Sequence, residues 1–379
     1  MAILRILTII LIAMSVGLEV AQLANLRLFF KKSRAIAPLK RYPPVSIIKP
    51  LRGTDSKLAG NLRSFLDIDY PDFELIFAVA DPDDPAVPLV RDLMSRSGNR
   101  KVKLVIDPSA IGYNPKVSNL HNGVKAATGD ILLFSDSDVR ATPDLIRRLI
   151  GPLEDEAVGI VSGPAVILGT RGFWQQAKSV TYNSTVTLYN ALWCRFIPIT
   201  VGGAAAMRRD VFDRIGGFAP IADLLTDDQE LGKLVHRHGY RVELVPYLVT
   251  VCEEPMRFLP VIRQNLRWLV AIKSSTPIDY QFILLANMTF LGFLYWLLKP
   301  AHPAHIAVFA ALGAVRTGAS FHLHWKYLKD RGLARYSWAI LFIDFVLPVL
   351  WLIGQWRRRV TWRGTDYDLR KGKLVPVKK

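Results

Sequence analysis

The tripeptide Asp136-Ser137-Asp138 follows the apolar run Ile131-Leu-Leu-Phe134 directly. A strand running into Asp-x-Asp carries two carboxylates to the carboxyl edge of a sheet, where open α/β folds leave a crevice for ligand. Hard oxygen ligands at that edge suit a divalent cation bridging a diphosphate. An acidic turn alone has little specificity, so the rest of the chain has to supply context. Asp81 emerges in the same way from Ile76-Phe-Ala-Val-Ala80, and Asp83 and Asp84 beside it precede Pro85, where capping of the next helix is an equally simple role. Lys116 lies in the turn Gly112-Tyr-Asn-Pro-Lys116, where a cation and free backbone N–H groups at a helix start favour an anion. Asp227 and Asp228 are adjacent carboxylates; such pairs split their pKa values when partly buried, and either can serve as a general base. Their alternative role is capping a helix over Gln229–Arg237. Gln264, Arg267 and Trp268 share one face of a helix expected after Pro260, combining a planar fork suited to pyrophosphate with a flat ring suited to a sugar or an apolar acceptor. A plain interfacial amphipathic helix would also carry Arg and Trp.

Between Pro43 and about Pro277, short apolar runs alternate with amphipathic stretches. Val45–Lys49, Phe73–Val79, Val102–Ile106, Ile131–Phe134 and Gly159–Val161 read as strands, and Lys57–Phe65, Pro85–Ser97, Lys116–Ala127 and Pro143–Leu153 as helices. The alternation predicts an α/β fold with a mostly parallel sheet covered on both faces. No GxxxxGK[ST] loop occurs and no GxGxxG follows the first strand, which disfavours a P-loop kinase and a dinucleotide oxidoreductase.

Mean hydropathy is positive although 21% of the 379 residues are charged, a combination that predicts a soluble domain joined to membrane segments. The net charge of +17 collects beside apolar spans instead of interleaving with aromatics along a groove, so anionic lipid headgroups are the expected partner and nucleic acid is not. Residues Ile3–Leu28 form an apolar run followed by Lys31, Lys32, Arg34, Lys40 and Arg41, the pattern of an uncleaved membrane anchor. The positive-inside rule puts the following domain on the cytoplasmic face, as in a bacterial inner membrane. Three more apolar stretches follow: Phe282–Leu298, His305–Ala319 and Trp338–Trp356. The basic tail Arg357-Arg-Arg-Val-Thr-Trp-Arg should stay inside, so one stretch is expected to be re-entrant or interfacial. The last is the first choice because it carries Asp344 and Pro348, and the middle one, with Arg316, the second. The expected organisation is therefore an anchor over 1–30, a cytosolic domain over 43–277, membrane or interfacial helices over 278–356 and a basic tail over 357–379. Cys194 and Cys252 support neither a disulfide framework nor a zinc site.

Five ordered motifs carry a resemblance: Asp81-Pro-Asp-Asp84, Asn114-Pro-Lys116-Val-Ser-Asn119, Asp136-Ser-Asp138, Gly216-Gly-Phe218 with Asp227-Asp228, and Gln264-x-x-Arg267-Trp268. Together they resemble the family 2-type inverting glycosyltransferases of GT-A fold, above all the ceramide glucosyltransferases and related bacterial hopanoid-lipid glycosyltransferases. The likeness runs from about Pro43 to Pro277 and resumes in Thr361-Trp-Arg-Gly364 with Tyr367. It implies that Asp81 contacts the uridine of a UDP-sugar donor, that Lys116 and Asn119 help hold the nucleotide, and that Gln264, Arg267 and Trp268 complete donor binding. It also implies that Asp136 and Asp138 share a diphosphate-bound Mg2+ or Mn2+, with Asp136 the safer assignment because ceramide-type members can keep only the first aspartate. The family's acidic pair puts the base at Asp228, with the register to Asp227 open by one residue. The aromatic segment from Gly172-Phe-Trp-Gln-Gln to Leu188-Tyr-Asn-Ala-Leu-Trp193 suits a lipid acceptor as well as it suits core packing.

The expected activity is transfer of one sugar, glucose first, from a UDP-sugar to a lipid hydroxyl such as that of ceramide. Transfer of N-acetylglucosamine to a hopanoid lipid is the alternative within the same chemistry. A processive polysaccharide synthase and a non-catalytic lipid-binding membrane protein are the readings outside it.

Overall fold

The computed structural model describes residues 2–31, 39–187, 198–201, 203–362, 364–370 and 372–377. Lys32 and Arg34 of the basic cluster, the aromatic segment Leu188–Trp193 and Cys194 lie outside the described residues. The chain divides into two compact units, one of residues 1–30, 167–192 and 255–371, the other of residues 31–166, 193–254 and 372–379.

The second unit is built on a seven-stranded sheet. In chain order its strands are β1 (Val45–Pro50), β2 (Phe73–Val79), β3 (Lys101–Ile106) and β4 (Ile131–Ser135), then, after a short β5 (Val139–Arg140), β6 (Val158–Ser162). A short β7 (Ala165–Ile167) precedes β8 (Ala204–Arg208), β9 (Arg241–Leu244) and β10 (Val249–Val251). The sheet order is β3-β2-β1-β4-β8-β6-β9, parallel throughout except for β8, which runs antiparallel to both β4 and β6. Every residue of β1, β2, β4 and β6 is buried, as the near-continuous apolar runs require of strands covered on both faces. Strand periodicity sorts the side chains: Ile47 and Leu133 enter one core with Phe65, Val90 and Leu149, while Ile48, Leu132 and Phe134 enter the other with Val117, Phe212 and Val235. Five strands thus lie where apolar runs placed them, with ends shifted by a residue. Strand β8, Ala204-Ala-Ala-Met-Arg208, escaped that reading because alanine has little strand preference; pairing on both edges overrides it.

Among its described residues the first unit contains three helices long and apolar enough to cross a membrane: Ala2–Lys31, Pro303–Tyr327 and Ala339–Trp356. A fourth span is formed if Pro277–Ala286 and Met288–Leu297 count together, although they meet at a 64° bend. The bend thus falls in the first C-terminal stretch, while the last, expected to be re-entrant or interfacial, is among the helices long and apolar enough to cross a membrane. Helix Ala339–Trp356 continues through Pro348, and Asp344 is accommodated by charge: Arg316 Nη1 lies 2.9 Å from Glu19 Oε2, and its Nε lies 3.6 Å from Asp344 Oδ1. One guanidinium between two buried carboxylates removes the isolated charge that made Asp344 look prohibitive. The tail is folded as well: β11 (Arg359–Trp362) and β12 (Thr365–Arg370) make a hairpin pairing Val360 with Tyr367.

Glu74, on β2, is a buried carboxylate that the sheet depends on. Its Oε1 accepts hydrogen bonds from Ser46 Oγ at 2.6 Å, from Thr128 N at 2.7 Å and from Thr128 Oγ1 at 2.9 Å, while Lys103 Nζ sits 2.7 Å from Oε2. Burial raises its pKa, but the bonds from Lys103, Ser46 and Thr128 outweigh this and hold the carboxyl down at about 2. A carboxyl whose pKa falls on folding stabilises above its unfolded value of about 4.3, and that contribution is lost as pH drops through the folded value. Glu74→Gln should accordingly lower unfolding stability by about 2 kcal/mol at pH 7, with the difference from wild type vanishing towards pH 2 in thermal melts of the detergent-purified protein. A pH-independent difference would show that packing, and not the charge, matters at this position.

Candidate active site

The switch point of the sheet lies between β1 and β4: β1 connects to β2 on one side, whereas β4 flanks it on the other. In open α/β sheets the ligand crevice lies outside the carboxyl ends of the strands at such a point. Asp136 follows β4 immediately, and its N–H donates to Gly203 C=O at 2.8 Å. Behind it, Gly216 and Gly217 take left-handed backbone, with φ of 82° and 60°, in a turn that delivers Phe218 onto Phe134, ring centroids 4.9 Å apart. The Gly-Gly-Phe motif thus packs against the strand that carries Asp136.

Lys116 opens the helix Pro115–Lys125, whose cap is Asn114: its Oδ1 accepts from Lys116 N at 3.0 Å and Val117 N at 3.1 Å. Asn114 also donates through Nδ2 to Leu224 C=O at 2.7 Å and through its backbone N–H to Ala222 C=O at 2.9 Å, lacing this turn to the loop ahead of Asp227. The consequence is the central contact of the unit. Lys116 Nζ lies 2.6 Å from Asp136 Oδ1 and 2.8 Å from Asp227 Oδ2. Burial disfavours the ammonium, but Asp136, Asp227 and Asp228 hold its pKa well above the ordinary lysine value.

Asp227 and Asp228 are the first two residues of the helix Asp227–Arg237, following Thr226. They begin the helix and do not cap a later one, and the positive end of the helix dipole favours carboxylates there. Burial, opposed by Lys116, raises the Asp227 pKa. Burial and then the Asp227 charge push the Asp228 carboxyl up to about 7, while its Oδ1 accepts from Gln229 N at 2.8 Å. Thr200 Oγ1 donates to the Asp228 carbonyl, and Leu374 N, in the C-terminal tail, donates to Asp223 C=O at 2.7 Å, so the loop before this helix is tied at several points.

Asp138 is recessed, and its carboxyl is pushed up to about 7 by burial, then by the neighbouring charges of Asp136 and Glu253. Such crowding is what a divalent cation relieves. Among the described residues no three His, Cys, Asp or Glu side chains stand together as a metal cage. Two carboxylates plus phosphate oxygens brought by a ligand is nevertheless the ordinary donor set for Mg2+, so Asp136 and Asp138 fit a cation that arrives with a diphosphate.

A family model described as glycosyl transferase family 21 matches residues 7–375. The chain belongs to that family. Among its relatives is ceramide glucosyltransferase 1 of Caenorhabditis elegans, 26% identical over 217 residues, 57% of this chain and 47% of that protein. An N-acetylglucosaminyltransferase of Mesorhizobium japonicum is 25% identical over 252 residues, 64% of this chain and 59% of that protein. The match thus spans about half the length of these curated relatives. A mannosyltransferase from Pyrobaculum calidifontis, solved with GDP-Man and Mn2+, superposes with a TM-score of 0.56 at 18% identity, covering 93% of this chain and 99% of that one. That likeness extends the GT-A fold, with its mixed, mostly parallel sheet, to this member of family 21.

The other expected residues fall as follows. Asp81 is exposed after β2, its Oδ1 accepting from Asp83 N at 2.9 Å, whereas Asp84 is structural: its carboxylate accepts from Ala86 N at 2.8 Å and from Gly53 N at 2.9 and 3.0 Å. Asn119 is buried and donates to Leu51 C=O at 3.1 Å, tying its helix to the end of β1. Gln264, Arg267 and Trp268 belong to the other unit, on the helix Phe258–Ser275, which starts before Pro260 because proline is tolerated in a first turn. There the Trp268 ring has Lys178 Nζ 5.1 Å from its centroid and Tyr182 5.2 Å away. In the same unit Phe173, Trp174, Phe258, Trp338 and Phe342 form a partly exposed aromatic cluster, which gives the segment beginning at Gly172 a surface character.

Motif reading missed Lys49. It is fully buried at the end of β1, its Nζ donating to Asp136 C=O at 2.7 Å and Ser135 Oγ at 3.1 Å above the Phe65 ring. Burial lowers its pKa to about 7 against the pull of Asp136 and Asp138. The signal was available as a lysine inside an otherwise buried strand, Val45-Ser-Ile-Ile-Lys49.

The role of Gly203 is close approach. A Cβ there would stand 2.4 Å from Val139 Cγ2 and 3.5 Å from Asp136 Cβ. Gly203→Ala should destabilise by about 1–3 kcal/mol, seen as a fall of several degrees in melting temperature. Gly151→Ala, whose Cβ would meet only Leu39 at 3.8 Å, should leave it unchanged. Equal melting of both variants with wild type would show that Asp136 is not held by this contact.

Proposed function

We propose that this chain is a membrane-bound inverting glycosyltransferase that moves a single glucose from UDP-glucose to a lipid hydroxyl of the ceramide type, on the cytoplasmic face. The observation that carries the reading is the Lys116 bridge: one ammonium touches both Asp136, the assigned diphosphate-metal carboxylate, and Asp227, the neighbour of the assigned base. Donor side and acceptor side are therefore adjacent in one sheet-edge crevice. Membership of family 21 and the three membrane-length helices support a lipid acceptor.

In this proposal Asp81 meets the uridine, and Gln264, Arg267 and Trp268 also serve the donor. Asp136 and Asp138 hold a Mg2+ or Mn2+ brought with the diphosphate, which when bound neutralises charge on the departing UDP. Lys116 adds a fixed positive charge beside that diphosphate and pairs with both Asp136 and Asp227. Asp228, recessed at the start of its helix, accepts the acceptor hydroxyl proton at its carboxylate. The hydroxyl oxygen then forms a bond to the anomeric carbon from the face opposite the phosphate, the bond to the UDP oxygen breaks, and the configuration inverts. The relative described as an N-acetylglucosaminyltransferase keeps UDP-N-acetylglucosamine as the second donor to try.

Asp228→Asn should reduce transfer at least a thousandfold while changing donor affinity less than threefold, measured by turnover and by UDP-sugar titration on the same preparation. Unchanged turnover would remove Asp228 from the base role. Chelation of divalent cations should abolish transfer and Mn2+ or Mg2+ should restore it; full activity in chelator would exclude the metal assignment.

A further inference from the structure

The membrane-helix unit holds an apolar groove of about 890 Å³ that takes no part in the chemistry above. Its floor is the small-residue face of helix Pro303–His322, including Gly313 and Gly318, and its wall is the Trp338, Leu341 and Phe345 face of helix Ala339–Trp356. From Phe309 to Phe321, both lining it, a helix rises about 18 Å, close to the roughly 15 Å depth of one bilayer leaflet's hydrocarbon. Both helices are long and apolar enough to lie in that hydrocarbon.

Small residues alone would mean only close helix packing. Two further features point to an occupant. Thr289 and Ser337 both line the groove, each 2% exposed, and neither Thr289 Oγ1 nor Ser337 Oγ has a hydrogen-bond partner among the described residues. A buried hydroxyl left without a partner costs about 1–3 kcal/mol, so two in one apolar groove call for acceptors supplied by a ligand. Exposed Arg335 and half-exposed Trp338 line the same groove, with Arg331 one turn earlier on the short helix Arg331–Arg335, the arrangement that fixes a segment at the headgroup level. Their charge complements a phosphate.

We propose that this groove binds one acyl chain of an anionic bilayer phospholipid, with its ester carbonyl accepting from Ser337, its phosphate paired by Arg335, and its tail lying along Gly313 and Gly318. The lipid is a bound component of the helix unit and not the sugar acceptor. It fills the groove that helices Pro303–His322 and Ala339–Trp356 leave between them.

The test is photolabelling of the full-length protein in vesicles doped with a phosphatidylglycerol bearing a diazirine in one acyl chain, with labelled residues mapped by mass spectrometry. Labelling of Phe309–Phe321 and Trp338–Phe345 should saturate, and excess unlabelled phosphatidylglycerol should compete at least fivefold better than phosphatidylcholine. Gly318→Phe fills open space, since a Cβ there meets nothing within 4 Å, and should cut labelling in those segments at least tenfold while labelling of Ala2–Lys31 stays unchanged. If Gly318→Phe fails to fold, Arg335→Glu on the exposed rim should remove the preference for phosphatidylglycerol. Non-saturating labelling, equal competition by the neutral lipid, labelling insensitive to both substitutions, or cross-linking of these segments to a second copy of the chain would each overturn the proposal.

Discussion

The candidate site depends on a single ammonium group. Lys116 stands between Asp136 and Asp227, 2.6 and 2.8 Å away, and without it four aspartates, counting Asp138 and Asp228, would share one recess with little to oppose their repulsion. Coulomb repulsion between carboxylates a few ångströms apart is several kcal/mol at the effective dielectric of a protein edge. Much of the fold around the site serves to place this lysine: the Asn114 cap, the bonds from Asn114 to Ala222 and Leu224, and the glycine turn that seats Phe218 under β4. Lys49 works from beneath, holding the backbone carbonyl of Asp136 while burial keeps its own charge weak.

Much of this was legible in the sequence because the informative signals are local. An apolar run followed by an acidic residue marks the carboxyl end of a buried strand, so Asp81 and Asp136 were placed from the pattern of β2 and β4 alone. The same holds for Lys116, whose Asn-Pro-Lys turn is a helix start by its chemistry. What was not legible depends on pairing between distant segments. Strand β8 owes its conformation to β4 and β6 and not to its alanines, Asn119 reveals its structural duty only when its partner Leu51 is known, and the bonds from Gly53 N add to Asp84 a tie that its local helix-start role did not foretell.

The membrane helices show the same limit in another form. Asp344 looked out of place in an apolar helix, and single-helix reasoning made that helix the first choice for a re-entrant or interfacial segment. Arg316 and Glu19, from helices far apart in the chain, supply the compensating charge, so helix Ala339–Trp356 stays regular and the bend falls at Asn287, between Pro277–Ala286 and Met288–Leu297. A buried triad of this kind adds little net stability, but removing one member leaves an uncompensated charge, which makes it a device for fixing which helices pack together.

The most direct measurement of the central claim is mass spectrometry of lipids extracted from membranes containing the protein after incubation with isotopically labelled UDP-sugars. A lipid carrying one hexose from UDP-glucose, formed by wild type and absent with Lys116→Met, is the predicted result. No label in any lipid from any UDP-sugar, or label only in a polymer, would contradict it.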